Sequence, residues 1–341
     1  MLHYSADFLH YNSLIFCKSI NCVFFQIYLI LIWRLRYFRA SNFVIKSLTM
    51  IKGKLFIIGG AEDKGQKKDS RRELDSDATV DGYYDHGILK RIVDESAKGN
   101  RSRIEILTTA SNVPKEIGAD YKKAFALLDA KDTGILNITT REQGQDPDIM
   151  KRLKDADVVM VTGGDQMRLT SILGGTPFLD ELLRKYSEEE FIYAGSSAGA
   201  AAASINMLFQ GRSEEALFKG KVRITSGLGL ISHAIIDTHF VKRGRIGRLF
   251  QSVVANPRLL GIGLEENTAL IITRGKKMEA IGPGMTILVD GRAIADSNYN
   301  DIYEGEAISI ENLTVHVMSK YDTYDLDAHK LKIDHSNGSE D

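Results

Sequence analysis

Three apolar runs in this chain each stop abruptly at glycines, and that repeated pattern limits what the chain can fold into. Leu55 to Ile58 ends in Gly59-Gly60, Val158 to Thr162 in Gly163-Gly164, and Phe191 to Ala194 in Gly195-Ser196-Ser197-Ala198-Gly199. Amphipathic segments separate them. Ile88, Leu89, Ile92 and Val93 recur at helical spacing between His86 and Lys98, and Ile117, Tyr121, Ala124, Phe125 and Leu128 do so between Lys115 and Ala130. Pro147 opens a third helix reaching Lys154, and Arg103 to Thr108 and Leu136 to Thr139 read as further strands. Strand-helix alternation with nearly continuous apolar strands predicts an α/β fold: a doubly wound, mostly parallel sheet flanked by helices. Ligands bind beyond the C-terminal strand ends of such sheets, so the three glycine clusters are expected to meet at one crevice.

Beyond Ile224 the pattern changes to shorter strands and turns: Ala234 to Phe240, Leu270 to Thr273, Met278 to Ile281, Thr286 to Val289 and Ala307 to Ile310. These are expected to extend the sheet with antiparallel strands. No internal repeat or low-complexity linker interrupts residues 50–320, which read as one domain, and 321–341 form a polar tail expected to fray.

Residues 1–49 differ in character. Lys18, Arg34, Arg36, Arg39 and Lys46 face a lone acid, Asp7, and the longest apolar run, Cys22 to Trp33, is about a dozen residues, short of a bilayer span. Positive charges follow that run rather than precede it, which makes a poor signal peptide. The segment reads as an upstream extension outside the fold, with a membrane anchor as the alternative, and the remainder as a cytoplasmic protein. Lysine plus arginine (44) nearly balances aspartate plus glutamate (45), so no global charge selects nucleic acid or a membrane surface. Cys17 and Cys22 are the chain's two cysteines, which leaves the main body without a thiol nucleophile, a cysteine metal site or a disulfide framework.

Gly195-Ser196-Ser197-Ala198-Gly199 fits the G-x-S-x-G pattern, in which flanking glycines let a strand turn sharply into a helix and raise one serine hydroxyl off the sheet. Plain glycine-serine turns share this composition, so Ser197 needs a base to count as a nucleophile. Among eight histidines, His3 and His10 fall in the extension, His329 and His335 in the tail, His86 at a helix start and His316 in a late strand. His233 and His239 remain. Strand periodicity puts His233, Ile235, Asp237 and His239 on one face, and His239 runs into Arg243, Arg245 and Arg248. Arginines at a helix start oppose its macrodipole, a cost that recognition of a substrate carboxylate would explain; a solvated helix start is the plainer alternative. Glu265 and Glu266, at a turn between apolar strands, supply candidate orienters for the histidine, and opposite parity predicts that only one of them faces it.

Taken together, these segments resemble cyanophycinase and the serine peptidase family it shares with the aspartyl dipeptidase peptidase E. Five stretches carry the resemblance in order across roughly residues 52–320: Gly59-Gly60-Ala61-Glu62-Asp63; Gly163-Gly164-Asp165-Gln166; Gly195 to Ala200; Asp237-Thr238-His239-Phe240 with Arg243, Arg245 and Arg248; and Gly261 to Ala269. The resemblance implies a fold like the class I glutamine amidotransferase domain, with Ser197 as nucleophile, His239 as base and Glu266 as acid, an order unlike that of the α/β-hydrolases. It implies substrate contacts at Gln166, Asp237, Arg243, Arg245 and Arg248. Thr238 stands where cyanophycinases often have glutamine, and Ser196 where threonine is common. The expected chemistry is serine-type hydrolysis of cyanophycin or an aspartyl peptide by a homodimer with no cofactor or metal, the oxyanion held by backbone N–H groups of Ala198 and Gly164. An aspartyl dipeptidase and a noncatalytic homologue are the rival readings.

Overall fold

Strand β1 (Lys54–Ile58) is buried on both faces, as a run without alternation demands. The computed structural model describes residues 50–65 and 87–336. The expected N-terminal extension with both cysteines, and residues 66–86 with His86 among them, lie outside the described residues.

From β1 the chain alternates helices and strands as its periodicity predicts: α1 (Ile88–Glu95), β2 (Ile104–Leu107), α2 (Pro114–Leu127), β3 (Thr133–Leu136), α3 (Pro147–Asp155), β4 (Val158–Val161), α4 (Gln166–Leu173), α5 (Pro177–Glu188), β5 (Ile192–Ser196) and α6 (Ala198–Ala202). Asp146 caps α3 by accepting the N–H groups of Asp148 and Ile149, and Pro147 sits where a missing N–H costs nothing. β1, β5, β4, β2 and β3 lie side by side in that order, all parallel. Alternate residues serve opposite faces. Phe56, Ile58, Ile106 and Met160 pack with α1 and α2, whereas Leu55, Ile57, Val159 and Val161 pack with α3 to α6. Full burial of each such side chain is worth about 1.5–3 kcal/mol.

The next strands are β6 (Asn206–Gln210) and β7 (Arg223–Ser226), which form a hairpin, then β8 (Ala234–Thr238), α7 (Ile246–Ala255), β9 (Leu260–Leu264), β10 (Ala269–Thr273), β11 (Lys277–Ile281) and β12 (Thr286–Asp290). β13 (Asp296–Ser297) pairs with β14 (Ile310–Glu311), and β15 (Thr314–Met318), β16 (Thr323–Asp325) and β17 (Lys330–Lys332) finish the fold. β10 joins β1 antiparallel and continues through β11, β16 and β17 to complete a nine-stranded mixed sheet.

Four expectations change. Of the strands expected to extend this sheet, β10 and β11 do, but β8 and β12 join β9 and β15 in a second one, with β8 and β9 parallel, packed on α7 through Ile235, Leu249, Val253 and Val289. β3 ends at Leu136 rather than running from it to Thr139. The strand expected at Ala307 to Ile310 shrinks to the short pairing of β14. The polar tail enters the main sheet, because Tyr324 and Leu326 are buried while intervening charges face solvent and Asp322 accepts the N–H groups of Ser319 and Asp334. An antiparallel strand with one face to solvent needs only one apolar face, which a compositional reading takes for loop. Among the described residues no helix is long and apolar enough to cross a membrane.

Candidate active site

The parallel strands deliver the three glycine clusters to one end of the sheet, as expected. β5 leads straight into α6 through Ser197, whose backbone stands at φ 49° and ψ −104°. Such a conformation costs a non-glycine residue on the order of 1–3 kcal/mol. The turn is possible because Gly195 and Gly199 touch: a Cβ on Gly195 would lie 2.5 Å from the carbonyl carbon of Gly199. The buried Tyr193 hydroxyl donates to Gly199 O at 2.8 Å and pins the helix start. Gly163 flanks the serine closely, since a Cβ there would sit 3.4 Å from Ser197 Cβ.

His239 follows β8 and Glu266 follows β9, two parallel neighbours, so both side chains emerge at the same sheet end. His239 Nδ1 donates to Glu266 Oε1 at 2.7 Å, which leaves Nε2 to accept the Ser197 hydroxyl at 3.0 Å. Periodicity does not place this histidine. β8 stops at Thr238, and His239 turns out of it at φ 51°, while His233 is exposed ahead of the strand.

One segment holds the turns that carry all three residues. Consecutive carbonyls at the end of β1 accept consecutive parts of the site: Ile58 O takes Ser197 N–H at 2.9 Å, Gly59 O takes His239 N–H at 3.1 Å, and Gly60 O takes Asn267 N–H at 2.8 Å. Each donor is a non-glycine residue at positive φ, namely 49°, 51° and 51°. Three disfavoured conformations are thus held by one row of acceptors. Gly60 also lies against the histidine ring, where a Cβ would come within 2.6 Å of Cε1 and Nε2.

Burial would raise the Glu266 carboxyl, but hydrogen bonds from Lys242 and His239 and their charges hold it below its ordinary value of 4.5. It stands as a carboxylate, able to fix the imidazole tautomer and stabilise an imidazolium. Ala198, the first residue of α6, has an N–H with no acceptor inside its own helix, as at any helix start. The Gly163-Gly164 loop adjoins Ser197, with Gly163 on the serine's side. A hydroxyl, a base and an oriented acid so linked can carry out acyl transfer.

The arginine run is less free than its sequence suggests. Asp237, buried at the end of β8, accepts Arg245 Nη1 at 3.0 Å and lies 3.0 Å from Arg248 Nε. Arg248 is itself buried within α7 and donates to Gly211 O at 3.3 Å. The charge opposing the helix start is therefore met by Asp237, inside the protein, and not by a ligand alone. Burial pushes Asp237 up and Arg248 down, each against the pull of the other's charge. Arg243 is exposed, and Gln166 at the start of α4 donates to Leu208 O at 3.1 Å.

Glu62, Tyr121 and Lys242 escape the sequence reading of the site. Glu62 is buried beneath the elbow, where it accepts the Ser196 hydroxyl at 2.6 Å and that of Tyr121. A glutamate in a run of charged residues gives no sign of burial. Among the described residues no group of three or more histidine, cysteine, aspartate or glutamate side chains is arranged to hold a metal ion.

The sequence model of peptidase family S51 matches residues 76–280, which include Ser197, His239 and Glu266. A cyanophycinase of Geminocystis herdmanii is 31% identical over 280 residues, covering 82% of this chain and 96% of that protein. The chain belongs to peptidase family S51. It is a serine peptidase, a hydrolase, with cyanophycinases among its relatives. A second one, from Trichormus variabilis, is 31% identical over 288 residues, covering 84% of this chain and 90% of the relative. In fold, this S51 chain is similar to the crystal structure of a peptidase from an acI-B1 Actinobacterium, with a TM-score of 0.51 at 18% identity over 71% of this chain and 93% of that one.

Proposed function

We propose that this S51 peptidase is a cyanophycinase, a serine-type exopeptidase that hydrolyses the polyaspartate backbone of cyanophycin to β-aspartyl-arginine dipeptides. The observation that carries the reading is the hydrogen-bonded chain from Ser197 through His239 to Glu266, in a protein similar over most of its length to proteins named cyanophycinase. His239 Nε2 takes the Ser197 proton as Oγ attacks an aspartyl carbonyl. Glu266 stabilises the imidazolium that results. The oxyanion is held by the N–H groups of Ala198 and Gly164, an arrangement in which losing one donor costs about a hundred- to a thousandfold in rate. His239 then protonates the leaving amine, and water, deprotonated by the same ring, releases the product from Ser197.

Arg245 and the exposed Arg243 give the mouth of the site a positive side suited to a substrate carboxylate, with Gln166 as a further substrate contact; Asp237, which also pairs with Arg248, holds Arg245. The test is release of β-aspartyl-arginine from cyanophycin by the wild type and by Ser197→Ala. Loss of release in the variant is the expected result. Equal release by both would overturn the serine mechanism, and turnover of α-aspartyl dipeptides without the polymer would overturn the substrate.

A further inference from the structure

The carboxylate of Glu62 has no place in the chemistry above, yet it is fully enclosed, and one of its oxygens is bonded to the elbow. Oε2 accepts the Ser196 hydroxyl at 2.6 Å. Oε1 accepts the Tyr121 hydroxyl and lies 3.1 Å from Lys64 Nζ, whose ammonium sits 4.6 Å above the centre of the Tyr121 ring. Burial works against its charge, while Lys64 and the bonds from Ser196 and Tyr121 hold the group below its ordinary value, so it stays ionised. A buried ion pair of this kind is commonly no more stabilising than apolar side chains of similar size. Stability alone therefore gives a weak account of it.

Position gives a better one. Glu62 follows the carbonyl row of Ile58, Gly59 and Gly60 that holds the serine, histidine and acid segments, and Asp63 N–H extends that row to Asn267 Oδ1 at 3.0 Å. Its own bond reaches Ser196, the residue directly before the strained Ser197. The backbone bond from Ser197 N–H to Ile58 O fixes one side of the elbow. A side-chain anchor on Ser196 fixes the other and opposes relaxation of Ser197 toward ordinary φ, which would swing Oγ away from His239.

We propose that Glu62 is a positioning residue for Ser197, acting through the Ser196 hydroxyl with Tyr121 and Lys64 holding the carboxylate in place. This rests on Ser197 being the nucleophile. Glu62→Gln keeps size but puts an amide N–H₂ against one of the donors, and Ser196→Ala removes the bond from the other end. Each variant is expected to lower kcat, and the rate at which a fluorophosphonate labels Ser197, by about ten- to a hundredfold. KM should stay within about twofold, and the double variant should be no slower than the slower single one, as for residues acting through one bond. Wild-type kcat and labelling in folded variants, a rise in KM alone, or multiplying losses in the double variant would each overturn the proposal. Should Glu62→Gln not fold, Ser196→Ala decides by the same kcat and labelling criterion. Labelling needs no assumption about substrate, so failure on cyanophycin leaves this test standing. A wild-type protein that the probe does not label would overturn the nucleophile assignment and this one with it.

Discussion

Glu265 accepts the backbone N–H of Val241 at 2.6 Å and that of Lys242 at 3.1 Å, which ties the acidic turn after β9 to the turn carrying His239. Its neighbour Glu266 meets the ring of the same histidine. Strand parity predicts that one carboxylate faces the site, but β9 ends at Leu264, and the two glutamates reach the histidine turn by different routes, one to backbone and one to ring. Hydrogen bonds to a charged acceptor are worth about 1.5–3 kcal/mol each. Glu265→Ala is therefore expected to loosen the turn and lower kcat about tenfold, whereas Glu265→Gln, which keeps an acceptor, should lose less. Steady-state kinetics on both variants check this, and equal kcat in wild type and Glu265→Ala would show that the turn holds without it.

Lys242 bonds the second oxygen of Glu266 from a side chain that is 63% exposed. The folded Glu266 carboxyl is depressed, so the stability it contributes is present above its ordinary value of 4.5 and is lost as pH falls through the lower folded value. Lys242→Met removes the first of the interactions that depress it. In the variant less stability is present above about pH 4.5, so the acid-side loss should be smaller than in the wild type and finish at a higher pH. Because the pair is exposed, the difference should stay under about 1 kcal/mol and shrink at ~1 M salt. Thermal unfolding followed between about pH 3 and 7 at two salt concentrations reads this directly; identical acid limbs would mean that solvent screens the pair completely.

How legible these features are in sequence follows from the physics each residue obeys. The parallel half of the main sheet can be read because both of its faces are buried, which forces unbroken apolar runs such as Leu55 to Ile58 and Val158 to Val161. Ser197 can be read because its turn demands glycines at fixed offsets. β16 escapes because an antiparallel strand with one solvated face needs only Tyr324 inside, and the second sheet escapes because the sequence of β8, Ala234 to Thr238, is equally compatible with either sheet. His239 is found for the wrong geometric reason, since it stands outside the strand whose period was used to place it. Glu62 carries no local signal at all: its role depends on Tyr121 and Ser196, residues 59 and 134 positions away.

Asp237 matches a position expected to touch substrate, but its burial and its pairing with Arg245 and Arg248 make it first a support for those arginines. Removing one member of a buried pair leaves the remaining charge uncompensated, at a cost of about 3–5 kcal/mol. Asp237→Ala should therefore lower thermal stability sharply. Arg243→Ala, at an exposed position, should change stability by no more than about 0.5 kcal/mol while raising KM for the polymer. Thermal unfolding and KM measured on both variants separate the roles, and an Asp237→Ala protein of wild-type stability with raised KM would make Asp237 a substrate contact instead.

Gly60 offers the sharpest separation of strain from collision. Its φ of 99° disfavours any side chain, and a Cβ would press within 2.6 Å of the His239 ring at Cε1 and Nε2. Gly305 shares the strain at φ 89°, but a Cβ there meets nothing within 4 Å. Alanine at either position should cost on the order of 1–3 kcal/mol in stability through backbone strain. Only Gly60→Ala should displace the imidazole from the Ser197 hydroxyl, and a displacement of about 1 Å costs on the order of a hundredfold in rate. Comparing kcat for the two variants at a temperature where both are folded isolates the collision. A Gly60→Ala protein with the kcat of Gly305→Ala would mean that the ring is free to move aside and still meet Ser197, and that the contact with β1's last turn does not set the geometry of the pair.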